Sequence, residues 1–536
     1  MRTACATLAS VVRTACVVVP PITDFYFTPH RFSALGARIA AEILRRAGWD
    51  VTLLIFPTMG RFVRGKPLPL PPWLTYLDEV LLPGERGPLS FFTHLKRFGP
   101  PMEYCADMIL SMSPSVVFVS LFAFAYADSA KELAATLKRK NPGQHIVIGG
   151  AGATVAPWYF REDGSAIDEI IGGEAELSLR EWTGSDRDTR ESRNPEIALA
   201  VVGGRGRSSD FSQPTGVGSA DTAAERAGTI AVTTVLSRGC PKQCAFCANH
   251  LCHGREFRLV PADGIVAAFD QLPSGSRITI NFEDDNILFA RGYFLEILGR
   301  LKHRFGTPRF SAENGLDYTL LDVRTVKALV DLGFEQFNLS LGSADPILLE
   351  KNRRPHQIDR LRETLLEISR LGKSAITYFI CGLPGDTTGS VVESLQLICG
   401  LPTRSGISLF YPVPGLPGFE DPDVFGSMPA GLCAGSSAFP WTGALTTSQM
   451  VTAFRLSRLV NMLHDEKEGK LPQTAPENEL LEAVRGQKRL LTVERSSHGV
   501  RTIVPPGIDR EMEKLFFEGA EDLFNSSGRR AATGPS

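Results

Sequence analysis

The stretch Ser237-Arg-Gly-Cys240-Pro-Lys-Gln-Cys244-Ala-Phe-Cys247-Ala-Asn-His250 places three of the chain's 10 cysteines within one short segment. Thiolates at spacings of four and three residues can converge on one metal centre from a single loop. A disulfide framework is instead typical of short, cysteine-dense secreted chains. In a chain of 536 residues this spacing indicates metal binding in a reducing compartment, so we expect a cytoplasmic protein.

The number of cysteines in the segment bears on the kind of metal centre. A structural zinc site and an electron-carrying iron–sulfur cluster both need four protein ligands. Here the nearest fourth cysteine is Cys252, beyond the three at 240, 244 and 247. Three ligands would leave one iron of a four-iron cluster open to a cofactor or substrate. The alternative is a zinc or four-ligand cluster site that recruits Cys252, His250 or His253.

Residues 230 to about 411 alternate apolar strands with helices, and polar or glycine-containing motifs follow several strands. These motifs are Asn281-Phe-Glu-Asp-Asp-Asn286, Ser311-Ala-Glu-Asn314, Phe337-Asn-Leu-Ser-Leu-Gly-Ser343 with Arg353 beyond it, Ile380-Cys-Gly-Leu-Pro-Gly385 and Tyr411-Pro-Val-Pro-Gly415. Each motif alone is weak evidence for a binding site, but the spacing of roughly 30–40 residues between the motifs is typical of successive βα units of a partial barrel. Ligands in such folds bind at the carboxyl ends of the strands, where these motifs fall.

The cysteine spacing, with Phe246 before the last cysteine, resembles the radical S-adenosylmethionine (SAM) superfamily. The resemblance implies a [4Fe-4S] cluster on Cys240, Cys244 and Cys247, whose open iron chelates SAM. It also implies cleavage of SAM to a 5′-deoxyadenosyl radical by an electron that comes from a donor such as flavodoxin or ferredoxin.

The same resemblance assigns contacts with SAM to single residues. They are Phe246 beside the adenine, Glu283 at the ammonium, Asn314 at the ribose or carboxylate, Ser343 and Arg353 at the carboxylate, and Gly382 bordering the adenine. Arginine suits a carboxylate because its planar fork can bind both oxygens. The sequence does not identify a catalytic residue.

The amino-terminal part of the chain also alternates strands and helices. The predicted strands are residues 16–19, 51–56, 115–121, 145–148 and 167–171, and amphipathic helices lie between them. Apolar strands separated by such helices predict a doubly wound parallel sheet that is covered on both faces. The apolar run over residues 1–21 is interrupted by Arg13, so we interpret its end as a buried strand rather than as part of a signal peptide.

This sheet, in front of a radical SAM barrel, resembles the cobalamin-binding domain of cobalamin-dependent radical SAM enzymes. Its best residues are Val147-Ile-Gly-Gly-Ala-Gly-Ala-Thr154 and Ile170-Ile-Gly-Gly-Glu-Ala-Glu176. The resemblance implies cobalamin contacts at Gly149, Gly150, Gly152 and Thr154. A Cβ at Gly150 should then crowd the cofactor, and without a ligand it should cost only modest stability. The Asp-x-His-x-x-Gly motif is missing, so no lower cobalt ligand is assigned. A flavodoxin-like sheet that binds no corrin is the alternative.

We therefore predict an α/β protein with an amino-terminal doubly wound parallel sheet, a partial (β/α)6 barrel and a helical carboxyl-terminal extension. The boundaries are 1–183 for the cobalamin-binding-type domain, 184–228 for a linker with a short hairpin near 197–202, 229–415 for the barrel, 416–525 for the extension and 526–536 for a disordered tail.

The implied reaction is methyl transfer to an unactivated carbon of a small-molecule substrate. The alternatives are radical cyclisation, rearrangement or oxygen insertion, and, in another class, a non-catalytic iron–sulfur electron carrier or sensor. The formal net charge of -2 gives no electrostatic reason to expect a nucleic-acid partner. No segment reaches the ~18–20 uninterrupted apolar residues of a membrane span.

Overall fold

The computed structural model describes residues 13–29, 32–82, 85–92, 94–161, 164–184, 200–201, 229–273, 277–426, 428–471, 476–496 and 499–520. Most of the predicted linker and the whole predicted tail at 526–536 lie outside these residues. Within the described ranges, no helix combines the length and apolar character needed to cross a bilayer.

The strands form two large sheets and three small ones. In chain order they are β1 Thr14–Val19, β2 Ile22–Asp24, β3 Asp50–Ile55, β4 Lys66–Pro67, β5 Glu85–Arg86, β6 Lys96–Phe98, β7 Val116–Ser120, β8 His145–Gly149, β9 Glu169–Ile171, β10 Ala200–Val201, β11 Thr229–Thr234, β12 Ser237–Arg238, β13 Arg258–Leu259, β14 Arg277–Phe282, β15 Arg309–Ser311, β16 Phe334–Gly342, β17 Ser374–Cys381, β18 Arg404–Leu409, β19 Thr492–Ser496 and β20 Gly499–Ile503.

The α-helices connect and cover these sheets. They are Leu35–Arg46, Met102–Ser111, Ala127–Lys140, Ala151–Val155, Ala175–Thr183, Asn249–His253, Ala262–Asp270, Arg291–Phe305, Val323–Leu332, Pro346–Lys351, Ile358–Arg370, Thr388–Cys399, Thr447–Lys467, Pro476–Gln487 and Arg510–Gly519.

The first sheet has the order β3-β1-β7-β8-β9, with every neighbouring pair parallel. Because side chains alternate along a strand, Val17 and Val18 of β1 enter different cores. Val17 packs with the helices Leu35–Arg46 and Ala175–Thr183. Val18 packs on the opposite face with the helices Met102–Ser111 and Ala127–Lys140. The predicted doubly wound sheet is therefore confirmed.

The second sheet, which we call the barrel sheet, has the order β10-β11-β14-β15-β16-β17-β18. Strands β11 and β14 to β18 are parallel and follow one another in chain order, as the partial barrel predicts. Within the described part of the predicted linker, β10 pairs antiparallel with β11. The strand expected there thus extends the barrel sheet instead of pairing inside a separate hairpin, since its partner lies about thirty residues further along the chain.

Described residues between 57 and 101, a segment for which the sequence predicts no element, pack against the carboxyl-terminal extension. Strand β5 pairs with β19 of the β19–β20 hairpin. Arg455 in the helix Thr447–Lys467 forms an ion pair with Glu85, and both side chains are 0% exposed. Arg455 also donates to the Leu89 carbonyl oxygen. A further small sheet, β2-β6-β4, joins the segment after β1 to the same region.

Candidate functional site

The cysteine loop begins at the carboxyl end of β11, where two adjacent carboxylates at the end of β14 hold it. Asp284 accepts a hydrogen bond of 3.0 Å from the Leu236 amide and another from the Ser237 hydroxyl. Burial raises the pKa of Asp284 to about 7, although these hydrogen bonds oppose the shift. Asp285 accepts a bond of 2.7 Å from the Gly239 amide. The pairing of β11 with β14 therefore fixes the start of the loop.

Gly239 is the residue immediately before the first cysteine, and its backbone explains its identity. Its φ is +82°, and a Cβ built there would lie 2.0 Å from the Glu256 carbonyl oxygen. A side chain would therefore meet both conformational strain and a backbone clash. Only glycine fits where the chain turns into Cys240.

The middle of the loop is tied to the barrel by charge and by a backbone bond. Lys242 pairs with Asp317, which also accepts a bond of 3.1 Å from the Asn286 side chain. Burial alone would raise the pKa of Asp317, but the hydrogen bond and charge of Lys242 hold that pKa below its usual value. The Ala245 amide donates to the Asn352 carbonyl oxygen at 3.0 Å. Three successive strand ends thus position the loop.

The three thiols share one environment but differ in exposure. Cys244 is buried, Cys240 is half-buried and Cys247 is exposed. Burial raises the pKa of the Cys240 thiol, and the neighbouring Cys244 raises it further. Arg354 Nη1 lies 3.8 Å from the Cys244 sulfur.

The alternative fourth ligands have other partners. His250 Nδ1 lies 3.0 Å from the Cys247 carbonyl oxygen, and His253 Nδ1 lies 3.2 Å from Glu174. The Cys252 sulfur lies 4.0 Å from the Ala151 carbonyl oxygen. In the described part of the chain, no three His, Cys, Asp or Glu side chains converge on a position suited to a single metal ion.

One cavity, of about 550 Å³, lies where the two large sheets meet, and we call it the interdomain cavity. The first sheet contributes Asp24 and Tyr26 after β1, residues 122–126 after β7, and Ala151 and Gly152 after β8. The opposite wall comes from the helix Asn249–His253 after the cysteines, the end of β18 and residues 433–436. The carboxyl ends of both sheets therefore open into one space.

Residues 234–398 match the family described as the Radical SAM superfamily. The chain contains a radical SAM domain. The matched range begins at the end of β11, includes the cysteine loop and ends in the helix Thr388–Cys399. The radical SAM domain implies SAM and a [4Fe-4S] cluster as cofactors.

Curated relatives match parts of the chain. The bacteriochlorophyllide d C-12(1)-methyltransferase of Chlorobaculum tepidum is 26% identical over 197 residues, which are 35% of this chain and 42% of the relative. An uncharacterized methyltransferase of Pyrococcus horikoshii is 23% identical over 312 residues, which are 54% of this chain and 65% of the relative. The chain therefore spans less than two thirds of the length of either protein. Among solved structures, the radical SAM methyltransferase TsrM of Kitasatospora setae has a TM-score of 0.48 and 15% identity, with 75% of this chain and 76% of that chain covered.

The radical SAM domain has side chains that fit these cofactors. Cys240, Cys244 and Cys247 supply three thiols on one loop, the number that would leave one iron of a four-iron cluster open. The buried Nε of Arg354 has no hydrogen-bond partner among the described residues. A donor beside Cys244 thus remains available to an anionic group such as the SAM carboxylate.

Arg354, rather than the predicted Arg353, reaches the cysteine loop. Its Nη2 donates to the Ser340 hydroxyl at 2.8 Å as well as to the Ser340 carbonyl oxygen. Arg353 is exposed and has a φ of +52°. Ser343, predicted at the same carboxylate, is buried, and its hydroxyl accepts a bond of 3.1 Å from the Asp345 amide. These two assignments stay predictions, with Arg354 as the better placed arginine.

The other predicted SAM residues lie in the cysteine loop and after β14, β15 and β17, and their assignments stay predictions. Glu283 follows β14 and accepts a bond of 3.1 Å from the Ser33 hydroxyl of the first domain. Phe246 is half-buried against the core that covers the first sheet. Asn314 is exposed in the turn after β15. Gly382, with a φ of +96°, donates its amide to Asp386 at 2.8 Å.

The glycines after β8 have a packing role that the sequence did not reveal. Gly150 has a φ of +96°, and a Cβ there would lie 2.5 Å from the Leu121 carbonyl oxygen. A Cβ at Gly152 would lie 2.7 Å from the Leu121 side chain, and one at Gly149 would lie 3.1 Å from the Ile171 carbonyl oxygen. The expectation of a modest cost for Gly150→Val without a ligand is therefore wrong, because the loop after β7 packs directly on this turn.

Thr154 links the two glycine-containing loops of the first sheet. Its hydroxyl donates to the Gly150 carbonyl oxygen at 2.8 Å and accepts a bond of 2.9 Å from the Gly173 amide. Of the predicted cobalamin contacts, Gly152 lines the interdomain cavity, and Thr154 ties the turn that contains it to the loop after β9.

An ionic contact between the segment after β9 and the segment around β13 was not predicted from the sequence. Glu174, after β9, accepts a bond of 2.8 Å from Arg258 Nη1 and also faces His253. Burial opposes its ionisation, but these partners lower the pKa of Glu174 to about 2. Glu176 lies 3.8 Å from Arg238, next to Gly239. The signal in the sequence is the pair of acids in Gly-Gly-Glu-Ala-Glu at residues 172–176, beside the glycines.

Proposed function

We propose that this chain is a cobalamin-dependent radical SAM enzyme that transfers a methyl group to an unactivated carbon of a small-molecule substrate. The observation that carries the proposal is the interdomain cavity, because residues after β1, β7 and β8 line it together with the helix that follows the cysteines.

The strand order of the first sheet supports a ligand on that side of the cavity. In open α/β sheets, ligands bind at the carboxyl ends of strands, at the point where the strand order reverses. In the order β3-β1-β7-β8-β9 this point lies between β1 and β7. Asp24 follows β1, and residues 122–126 follow β7, and both groups line the cavity. A planar cofactor between these loops would face the radical SAM domain.

The chain's own residues would bind, orient and shield the reactants. Cobalamin and SAM, when bound, would supply the transferable methyl group and the hydrogen-abstracting radical. Arg354 would hold the SAM carboxylate beside Cys244. Aromatic side chains, among them Phe92, Phe122 and Phe454, line the cavity and would keep water from a radical. An electron donor of the flavodoxin or ferredoxin class would reduce the cluster.

The name of one relative also supports methyl transfer, because the Chlorobaculum protein is a methyltransferase that acts on a bacteriochlorophyllide. Its substrate is not carried over to this chain. The alternative reactions are radical cyclisation, rearrangement and oxygen insertion. They would use the same radical SAM domain but would transfer no methyl group to the substrate.

The test needs no knowledge of the substrate. Protein reconstituted with iron and sulfide, hydroxocobalamin and a chemical reductant should convert SAM into both S-adenosylhomocysteine and 5′-deoxyadenosine. Omission of cobalamin should abolish the first product and keep the second, since only methyl transfer needs the corrin. Equal S-adenosylhomocysteine formation with and without cobalamin would contradict the proposal. Formation of 5′-deoxyadenosine alone would favour a radical SAM enzyme without methyl transfer.

A further inference from the structure

Asp24 is a buried carboxylate in the wall of the interdomain cavity. It ends β2 and is 6% exposed. It accepts hydrogen bonds from the Tyr126 hydroxyl at 2.7 Å, from the Ser436 hydroxyl and from the Tyr26 amide at 3.2 Å. All four residues line the cavity. Neutral donors from three separate segments therefore converge on one acid.

No Lys, Arg or His among the described residues forms an ion pair with Asp24. Burial raises the pKa of Asp24, and the hydrogen bonds only partly oppose this shift. An ionised carboxylate away from water is costly unless a cation pairs with it. The described part of the cavity thus contains a carboxyl group without a cationic partner, and a bound cation would favour its ionised form.

The aromatic side chains around Asp24 are unusually exposed for their size. Tyr26 is 58% exposed, Phe122 is 39% exposed and Tyr411 is 41% exposed, although each lines the cavity. Their rings are therefore only partly covered by the protein. Aromatic faces attract organic cations through the ring quadrupole, and a nearby carboxylate adds to that attraction.

We infer that the interdomain cavity binds its substrate through a cationic nitrogen that pairs with Asp24 and lies against the rings of Tyr26 and Tyr411. The substrate class is a small organic ammonium compound. This inference rests on the proposed function, since it concerns the substrate of the same cavity. It adds a substrate-binding residue that the radical SAM domain does not contain.

Two other roles for Asp24 predict different behaviour. Asp24 could simply join β2, Tyr126 and Ser436, in which case its charge has no importance. It could instead accept bonds from the amide side chains of cobalamin. Asp24→Asn separates these roles, because an asparagine keeps the shape and the hydrogen bonds while it loses the charge. Its carbonyl oxygen can still accept from the Tyr26 amide and the Ser436 hydroxyl, and the Tyr126 hydroxyl can reorient to accept from its NH2 group.

The experiment uses 2-phenylethylamine and its neutral isostere 2-phenylethanol, titrated into reconstituted protein that holds the cluster, SAM and hydroxocobalamin. Isothermal titration calorimetry on wild type should show the amine binding about tenfold or more tightly than the alcohol, as a hydrogen bond to a charged group implies. Asp24→Asn should remove this preference and leave alcohol binding unchanged. Asp322→Asn, at a helix cap that does not line the cavity, should keep the preference.

Equal binding of amine and alcohol to wild type would overturn the inference without any variant. An unchanged preference in Asp24→Asn would reduce Asp24 to a structural link. Loss of cobalamin from Asp24→Asn, without an amine preference in wild type, would identify a corrin contact instead. Failure of wild type to form S-adenosylhomocysteine would contradict the proposed function and leave the amine preference a separate result.

Discussion

The Asp285 carboxylate accepts a hydrogen bond of 2.7 Å from the Gly239 amide, one residue before the first cysteine of the cluster loop. Asp285→Ala leaves that amide without its acceptor, and loss of a charged hydrogen bond costs about 1.5–3 kcal/mol. We expect the loop to release iron faster when the reconstituted protein is challenged with a chelator. Asp263→Ala is the control, because its side chain is 95% exposed. Equal rates of iron loss in the two variants would contradict a role for Asp285 in holding the loop.

Arg353 and Arg354 form a matched pair for testing the SAM carboxylate contact. Arg354 lies 3.8 Å from the Cys244 sulfur and has an unpaired Nε, whereas Arg353 is exposed. Arg354→Ala should weaken SAM binding by about 1.5–3 kcal/mol, and Arg353→Ala should change it by less than about 0.5 kcal/mol. Equilibrium dialysis with radiolabelled SAM measures both, and the iron content checks the cluster. A larger effect at Arg353 would restore the assignment made from sequence.

The sequence predicted those parts of the fold and the site that are determined by residues close together in the chain. The cysteine spacing, the apolar strands and the helix Ala127–Lys140 were all visible in short windows. The choice between Arg353 and Arg354 was not visible, because it depends on the positive φ of Arg353. The Glu85–Arg455 pair joins residues 370 positions apart, so neither neighbourhood reveals the other. Long-range partners of this kind decided the packing of residues 57–101.

The contact of Glu174 with Arg258 and His253 predicts a pH-dependent stability. The pKa of Glu174 is about 2 in the folded protein and 4.5 for an ordinary glutamate. Because the folded-state pKa is lowered, ionised Glu174 stabilises the folded protein at pH values above the ordinary pKa. This contribution to the free energy of unfolding falls as the pH drops from about 4.5 towards 2. The shift corresponds to about 3 kcal/mol at pH 7.

Urea unfolding of iron-free wild type and Glu174→Gln should therefore differ by about this amount at pH 7, and by less than half of it at about pH 3. Glu169→Gln is the control, since Glu169 pairs with His145 at the surface, where ion pairs contribute little. A difference between wild type and Glu174→Gln that did not change with pH would exclude ionisation as the cause.

Gly150→Val should destabilise the first domain whether or not cobalamin is present. The positive φ and the 2.5 Å approach of a Cβ to the Leu121 carbonyl oxygen together imply a cost of about 3 kcal/mol or more. Gly173→Ala has a similar φ of +79° but no atom within 4 Å of its Cβ, so it should cost about 1–2 kcal/mol. Thermal unfolding of both variants measures the difference. Equal costs would show that the clash relaxes freely.

A cavity-filling variant tests cobalamin binding without disturbing that packed turn. Ala125 lies after β7 and lines the interdomain cavity, so the ring of Ala125→Trp can extend into open space. We expect the variant to fold and to lose hydroxocobalamin on gel filtration, because the indole occupies the volume that the corrin needs. Ala135→Trp, at an exposed position of the helix Ala127–Lys140, adds the same side chain outside the cavity and should bind cobalamin like wild type. Absorbance spectra of the eluted proteins measure the bound corrin. Stoichiometric cobalamin in Ala125→Trp would place the corrin elsewhere, and its absence from wild type would leave the first sheet without a corrin-binding role.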